Sequence, residues 1–151
     1  ANLRHPRGPR RPGSPAPAAR RVGEGGSLSL LLDSVILIDH FNGRPEATRY
    51  LAEVAGEAAL SVITRAEVLA GFDAENSGVA EGLLDRFPIL GIGQPVADLA
   101  ARLRREFRWK MPDAFQAALA QYHGLSLVTR NSRDFPPHRH KFVVIPYTLV
   151  P

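Results

Sequence analysis

Four carboxylates and one carboxamide fall at places where an alternating strand and helix pattern would gather them. Asp33 ends a short apolar run, and Glu67 lies early in the helical stretch after the next one. Asp113 opens a later helix, and Asn131 and Asp134 directly follow a fourth apolar run. Asp and Glu are ionised at neutral pH, and clustered carboxylates repel unless a cation neutralises them. Such a cluster is a natural seat for Mg2+ or Mn2+, which take oxygen ligands. A divalent ion held there would reverse the local sign and lower the pKa of a bound water. The chemistry indicated is metal-assisted hydrolysis of an anionic substrate.

Each residue taken alone has a plainer reading. Asp33 suits a helix N-cap. Thr64 and Glu67 match the S/T-x-x-E capping box, which puts Glu67 in a helix first turn. Asp113, beside Pro112, is favoured by the helix dipole, and Asn131 and Asp134 are turn formers. Ser34 and Thr129 are open to two readings: donors to the site carboxylates, or a cap and a strand residue. Capping does not explain why all these acids collect at one end of a sheet.

The elements that must position them follow from periodicity. Short apolar runs predict strands over 28–32, 59–63, 88–92, 125–129 and 142–145. Helical spacing predicts helices over 34–41, 45–55, 64–72, 78–87, 96–108 and 113–123. Phe115, Ala118, Leu119 and Tyr122 share one face of the last, and Gly124 closes it. Strands alternating with helices predict an α/β fold: a central parallel sheet of about five strands with helices on both faces, three layers in all. Sites in such sheets form at the carboxyl ends of the strands.

The chain has 151 residues and a formal charge of +4. Six of its arginines, with only Glu24 opposing them, lie in residues 1–27, so the remainder is near neutral. That segment is rich in Pro, Arg, Gly and Ala and is expected to be disordered, either as an RNA-holding basic arm or, as we favour, a dispensable extension upstream of a start nearer Val22. Residues 28–151 are expected to form the single domain. With no cysteine, disulfides and thiolate metal sites are excluded, which fits a cytoplasmic protein. No apolar run has the length of a membrane span.

If the ligand is a nucleic acid, cations must hold its phosphates. Arg130 and Arg133 flank Asn131 and are candidates for phosphate contact. Arg102, Arg104, Arg105, Arg108 and Lys110, with Trp109 as a stacking aromatic, could form a basic rim, but the outer face of an amphipathic helix is the preferred reading. His138 and His140 are expected at the surface.

The segments LLDSVILIDHF, SVITRAEVLAGF and PDAFQAALAQYHGLSLVTRNSRDF resemble the three motif blocks of VapC-type PIN-domain toxins, over about residues 28–145. The resemblance implies a three-layer PIN-like domain and a Mg2+-dependent endoribonuclease, the toxin of a VapBC-type toxin–antitoxin module. It implies Asp33 and Asp113 as principal metal ligands, with Glu67 completing the acidic site and a second ion assisting the leaving 3′ oxygen. Asn131 stands where many relatives have Asp, and Asp134 is its expected substitute. A VapB-like antitoxin and a homodimer are further implied. Rival readings are a PIN fold that binds RNA or a partner without cutting, and a solitary PIN nuclease of RNA processing. A receiver-like module fails because the third strand ends in Gly93-Gln94 without an acid. A D-x-D phosphatase fails because Ser34 and Val35 follow Asp33.

Overall fold

The computed structural model describes residues 27–151. The expectation of a disordered arm over 1–27 falls outside these residues, save for Ser27.

Short, largely apolar runs form five strands: β1 (Leu30–Leu32), β2 (Ala58–Ser61), β3 (Ile89–Leu90), β4 (Ser126–Val128) and β5 (Val143–Val144). Six helices connect them: α1 (Ser34–Phe41), α2 (Pro45–Val54), α3 (Val62–Ala70), α4 (Ser77–Leu84), α5 (Gln94–Phe107) and α6 (Met111–His123). The strands form one parallel sheet in the order β3-β2-β1-β4-β5. The expected fold class is the observed one.

Both faces of the sheet are buried, as the near-continuous apolar strands require. Leu31, Ala59, Leu90, Leu127 and Val143 point to a layer made by α5 and α6. Leu32, Ala58, Leu60 and Val128 point to the opposite layer, where Ile36, Leu51, Val68 and Leu84 bring α1 to α4. The chain steps outward from β1 to β2 to β3, then returns to place β4 on the other side of β1. This reversal makes the carboxyl ends of β1 and β4 a topological switch point, where sheets of this kind bind ligands. Leu32 is in register with both Leu60 and Val128, so Asp33, Ser61 and Thr129 emerge together at that edge.

Several local expectations are corrected. The cap of α3 is Ser61, whose hydroxyl accepts from the Thr64 N–H at 2.9 Å. The helix therefore begins at Val62, earlier than expected, and Glu67 lies in its second turn, so there is no Thr64–Glu67 capping box. Tyr122 is 39% exposed rather than on the packed face of α6. Trp109 is only 5% exposed. It stacks on Phe107 at 4.6 Å and is no platform for a base. His140 is 8% exposed, packed among Phe107, Trp109, Phe135 and Phe142. Of the two loop histidines, only His138 is at the surface. Arg108 ends α5 with φ +59°, a turn usually given to glycine, and this carries Trp109 into the core.

Candidate active site

Asp33 stands at the switch point, where β1 ends and α1 starts. It is buried, and its carboxylate receives three donors. Ser34 N–H reaches Oδ1 at 2.8 Å and Gln116 Nε2 reaches the same oxygen at 3.3 Å. Thr129 Oγ1 donates to Oδ2 at 2.7 Å. The capping reading of Asp33 holds through the Ser34 N–H. Ser34 contributes its backbone N–H as well as a side chain beside Glu67.

The other acids are near enough to be felt. Burial pushes the Asp113 carboxyl up to about 6, and the charges of Asp33, Asp134 and Glu67 push the same way, with Lys110 opposing weakly. Burial, then Asp33, raises Glu67, while the Ser34 side chain partly offsets them. Asp113 sits in the first turn of α6 as expected. Four acids from four segments of the chain therefore share one electrostatic neighbourhood at the carboxyl edge of the sheet.

Asn131 and Asp134 are tied to each other. Asn131 Nδ2 donates to Asp134 Oδ2 at 2.9 Å, and the Asp134 N–H donates to Asn131 Oδ1 at 3.2 Å. The Asn131 N–H donates to Thr129 Oγ1 at 3.1 Å. Thr129 therefore links the Asn131–Asp134 turn to Asp33. Trp109 Nε1 holds the same turn from below, donating to the Asp134 carbonyl at 2.9 Å.

The two flanking arginines differ. Arg130 is committed to Asp39, with Nη2 donating to Oδ1 at 2.8 Å and Nε to Oδ2, and Tyr147 adds its hydroxyl to Oδ2 at 2.9 Å. Arg133 is exposed and shares a cavity of about 290 Å³ with Arg108, Arg139 and Asp134.

Gln116 and Asp39 escaped the sequence reading, and Thr64 entered it only as a helix cap. Gln116 is 1% exposed, and its amide bridges Asp33 and Thr64. Its signal was weak: one turn beyond Asp113 on the same helix face. Thr64 donates to the Leu32 carbonyl at 3.2 Å, tying α3 to the end of β1. Asp39, 4% exposed, fixes the segment after β4 through Arg130.

Among the described residues, no three acidic or histidine side chains close on one point at metal-ligand distance. The donor set nonetheless fits a hard divalent ion in kind. It is all oxygen and anionic, and burial, with repulsion between the acids adding to it, has raised the proton affinity of two members. Among the described residues no helix is long and apolar enough to cross a membrane.

Known proteins resemble this one over most of its length. The PIN domain matches residues 30–138. Ribonuclease VapC19 of Mycobacterium tuberculosis is 31% identical over 114 residues, covering 70% of this chain and 91% of its own. A toxin–antitoxin complex from Klebsiella pneumoniae contains a chain 39% identical, with a TM-score of 0.74, covering 80% of this chain and 100% of its own. FitAcB from Neisseria gonorrhoeae is 25% identical, with a TM-score of 0.66, covering 80% and 99%.

Proposed function

This chain belongs to the PIN-domain family, and on that premise we propose that it is a metal-dependent endoribonuclease, the toxin of a VapBC-type toxin–antitoxin module. The observation that carries the reading is the coupling of Asp33, Glu67, Asp113 and Asp134 at the switch point of the sheet, with Asp113 raised to about 6 by burial and by the other three. Isolated caps and turn formers have no reason to share that neighbourhood.

Asp33 and Asp113 are the proposed principal ligands of Mg2+, with Mn2+ as an alternative; Glu67 and Asp134 complete the set. The bound ion supplies Lewis acidity, lowering the pKa of a water and neutralising charge on the phosphodiester. The chain supplies the rest. Ser34, Gln116 and Thr129 hold the Asp33 carboxylate in one orientation. Asn131 fixes Asp134 through two hydrogen bonds. Glu67, its proton affinity raised, is suited to take the proton of the attacking water at its carboxylate. Arg133, with Arg108 and Arg139 in the adjoining cavity, is the proposed contact to RNA phosphates. Arg130 serves the fold through Asp39 first, leaving less of its guanidinium for RNA.

A VapB-like antitoxin is the proposed partner, by likeness to the Klebsiella complex. An apolar groove lined by Ile38, Phe41, Val68 and Phe72 runs up to Glu67 and suits an antitoxin segment. A homodimer in the cytoplasm completes the proposal. Asn131, in place of an acid, favours a second reading: a PIN fold that binds RNA without cutting it.

Incubation with structured RNAs and Mg2+ separates the two. The nuclease reading expects cleavage that chelation stops and that Asp33→Asn or Asp113→Asn abolishes. Binding without cleavage, unchanged by either substitution, would establish the second reading.

A further inference from the structure

Gln116 carries a cost that its position does not require. It lies on the buried side of α6 among Ala114, Ala117, Ala118 and Leu119, where a methionine or leucine would satisfy packing. Its Oε1 is buried and has no hydrogen-bond partner. A buried acceptor left unmatched costs roughly 1–3 kcal/mol.

The surrounding hydrogen bonds explain why the amide cannot turn over. The Thr64 hydroxyl gives its one proton to the Leu32 carbonyl at 3.2 Å, so towards Gln116 its oxygen can only accept. Ionised Asp33 can also only accept. Both contacts, 2.7 Å to Thr64 Oγ1 and 3.3 Å to Asp33 Oδ1, therefore require the NH2 group, and Oε1 is left facing the core. The unmatched acceptor is the consequence of pointing a donor at Asp33.

That donor makes the two oxygens of Asp33 unequal. Oδ1 receives Ser34 N–H and Gln116 Nε2, which occupy its two lone pairs. Oδ2 receives only Thr129 Oγ1 and keeps one lone pair open. We propose that Gln116 is a positioning residue that, with the Ser34 N–H, saturates Oδ1 of Asp33 and leaves Oδ2 as the oxygen offered to a divalent ion. The inference rests on the reading of Asp33 as a metal ligand.

The test is Gln116→Met, which keeps the volume and removes both the donor and the unmatched acceptor. Mn2+ affinity is measured by titration calorimetry, and thermal stability by melting the metal-free protein. Loss of a group that orients a ligand typically weakens metal affinity about 10–100-fold. A dissociation constant raised about tenfold or more, with a metal-free Tm unchanged or higher, is the expected pair of results. An unchanged dissociation constant with a lower Tm would make Gln116 a packing residue and overturn the proposal. Thr64→Val provides a second arm, because it removes the acceptor that aims the amide. It should weaken Mn2+ binding alone but add little to Gln116→Met; fully additive losses would break the proposed link. A parent protein that takes up no Mn2+ would remove the metal reading and this inference together. Uptake by the parent with unchanged affinity in Gln116→Met would overturn the inference alone.

Discussion

Thr129 Oγ1 donates to Asp33 Oδ2 at 2.7 Å, joining the residues that follow β4 and β1 across the switch point of the sheet. The same oxygen accepts from the Asn131 N–H. One hydroxyl therefore sets the orientation of a buried carboxylate and anchors the turn that carries Asp134.

Thr129→Val keeps the shape of this fully buried residue and removes the hydroxyl. It leaves Asp33 Oδ2 and the Asn131 N–H without their partner. Urea unfolding should show a loss of about 1–3 kcal/mol. RNA cleavage should fall with it, because the Asn131–Asp134 turn loses its tie to Asp33.

Asp113 gives a pH dependence of definite sign. Its folded pKa of about 6 lies above its ordinary value, so the folded chain binds more protons than the unfolded one between about 4 and about 6. The stability contributed by this group falls as pH rises through that window. Melting of the metal-free protein at fixed ionic strength should show Asp113→Asn flattening this term and raising the Tm at pH 7 relative to the parent. A lower Tm for Asp113→Asn at pH 7 would contradict the assignment.

Asp39 has the opposite sign. Burial works to raise its pKa, but the hydrogen bonds from Arg130 and Tyr147 and the Arg130 charge outweigh it and hold the carboxyl below the usual range. Its contribution is present above the unfolded pKa and is lost as pH falls through the folded value. Asp39→Asn should cost about 3 kcal/mol at neutral pH, the low end for breaking a buried pair, because Arg130 retains some water. Denaturant unfolding checks it. The loss should shrink in acid, where the parent also loses the pair.

Much of this architecture was legible in the sequence, and the reason is periodicity. Leu30–Leu32 and, in β4, Leu127 and Val128 are apolar without interruption because both faces of a parallel sheet are covered. Gly124 marks the end of α6 with φ +67°. Asp33 and Asp113 were found because a strand end and a helix start can be read locally. What sequence could not reveal depends on partners far along the chain. Arg130 reads as an RNA contact until Asp39, ninety-one residues away, is seen to hold it. Trp109 reads as part of an outer helix face, with stacking as the alternative, because nothing nearby shows that Arg108 turns the chain inward. His140 looks like a loop residue until four aromatic rings enclose it. Gln116 reads as a polar residue on a helix, and only the fold shows that it faces Asp33.

The central claim is that Asp33 and Asp113 hold one divalent ion. Electron paramagnetic resonance measures it directly, because the signal of free Mn2+ diminishes as the ion binds. Titrating the protein into a fixed Mn2+ concentration should remove that signal, and Asp33→Asn and Asp113→Asn should each restore it at the same protein concentration. A free Mn2+ signal undiminished by the parent protein, or diminished equally by both variants, would contradict the account.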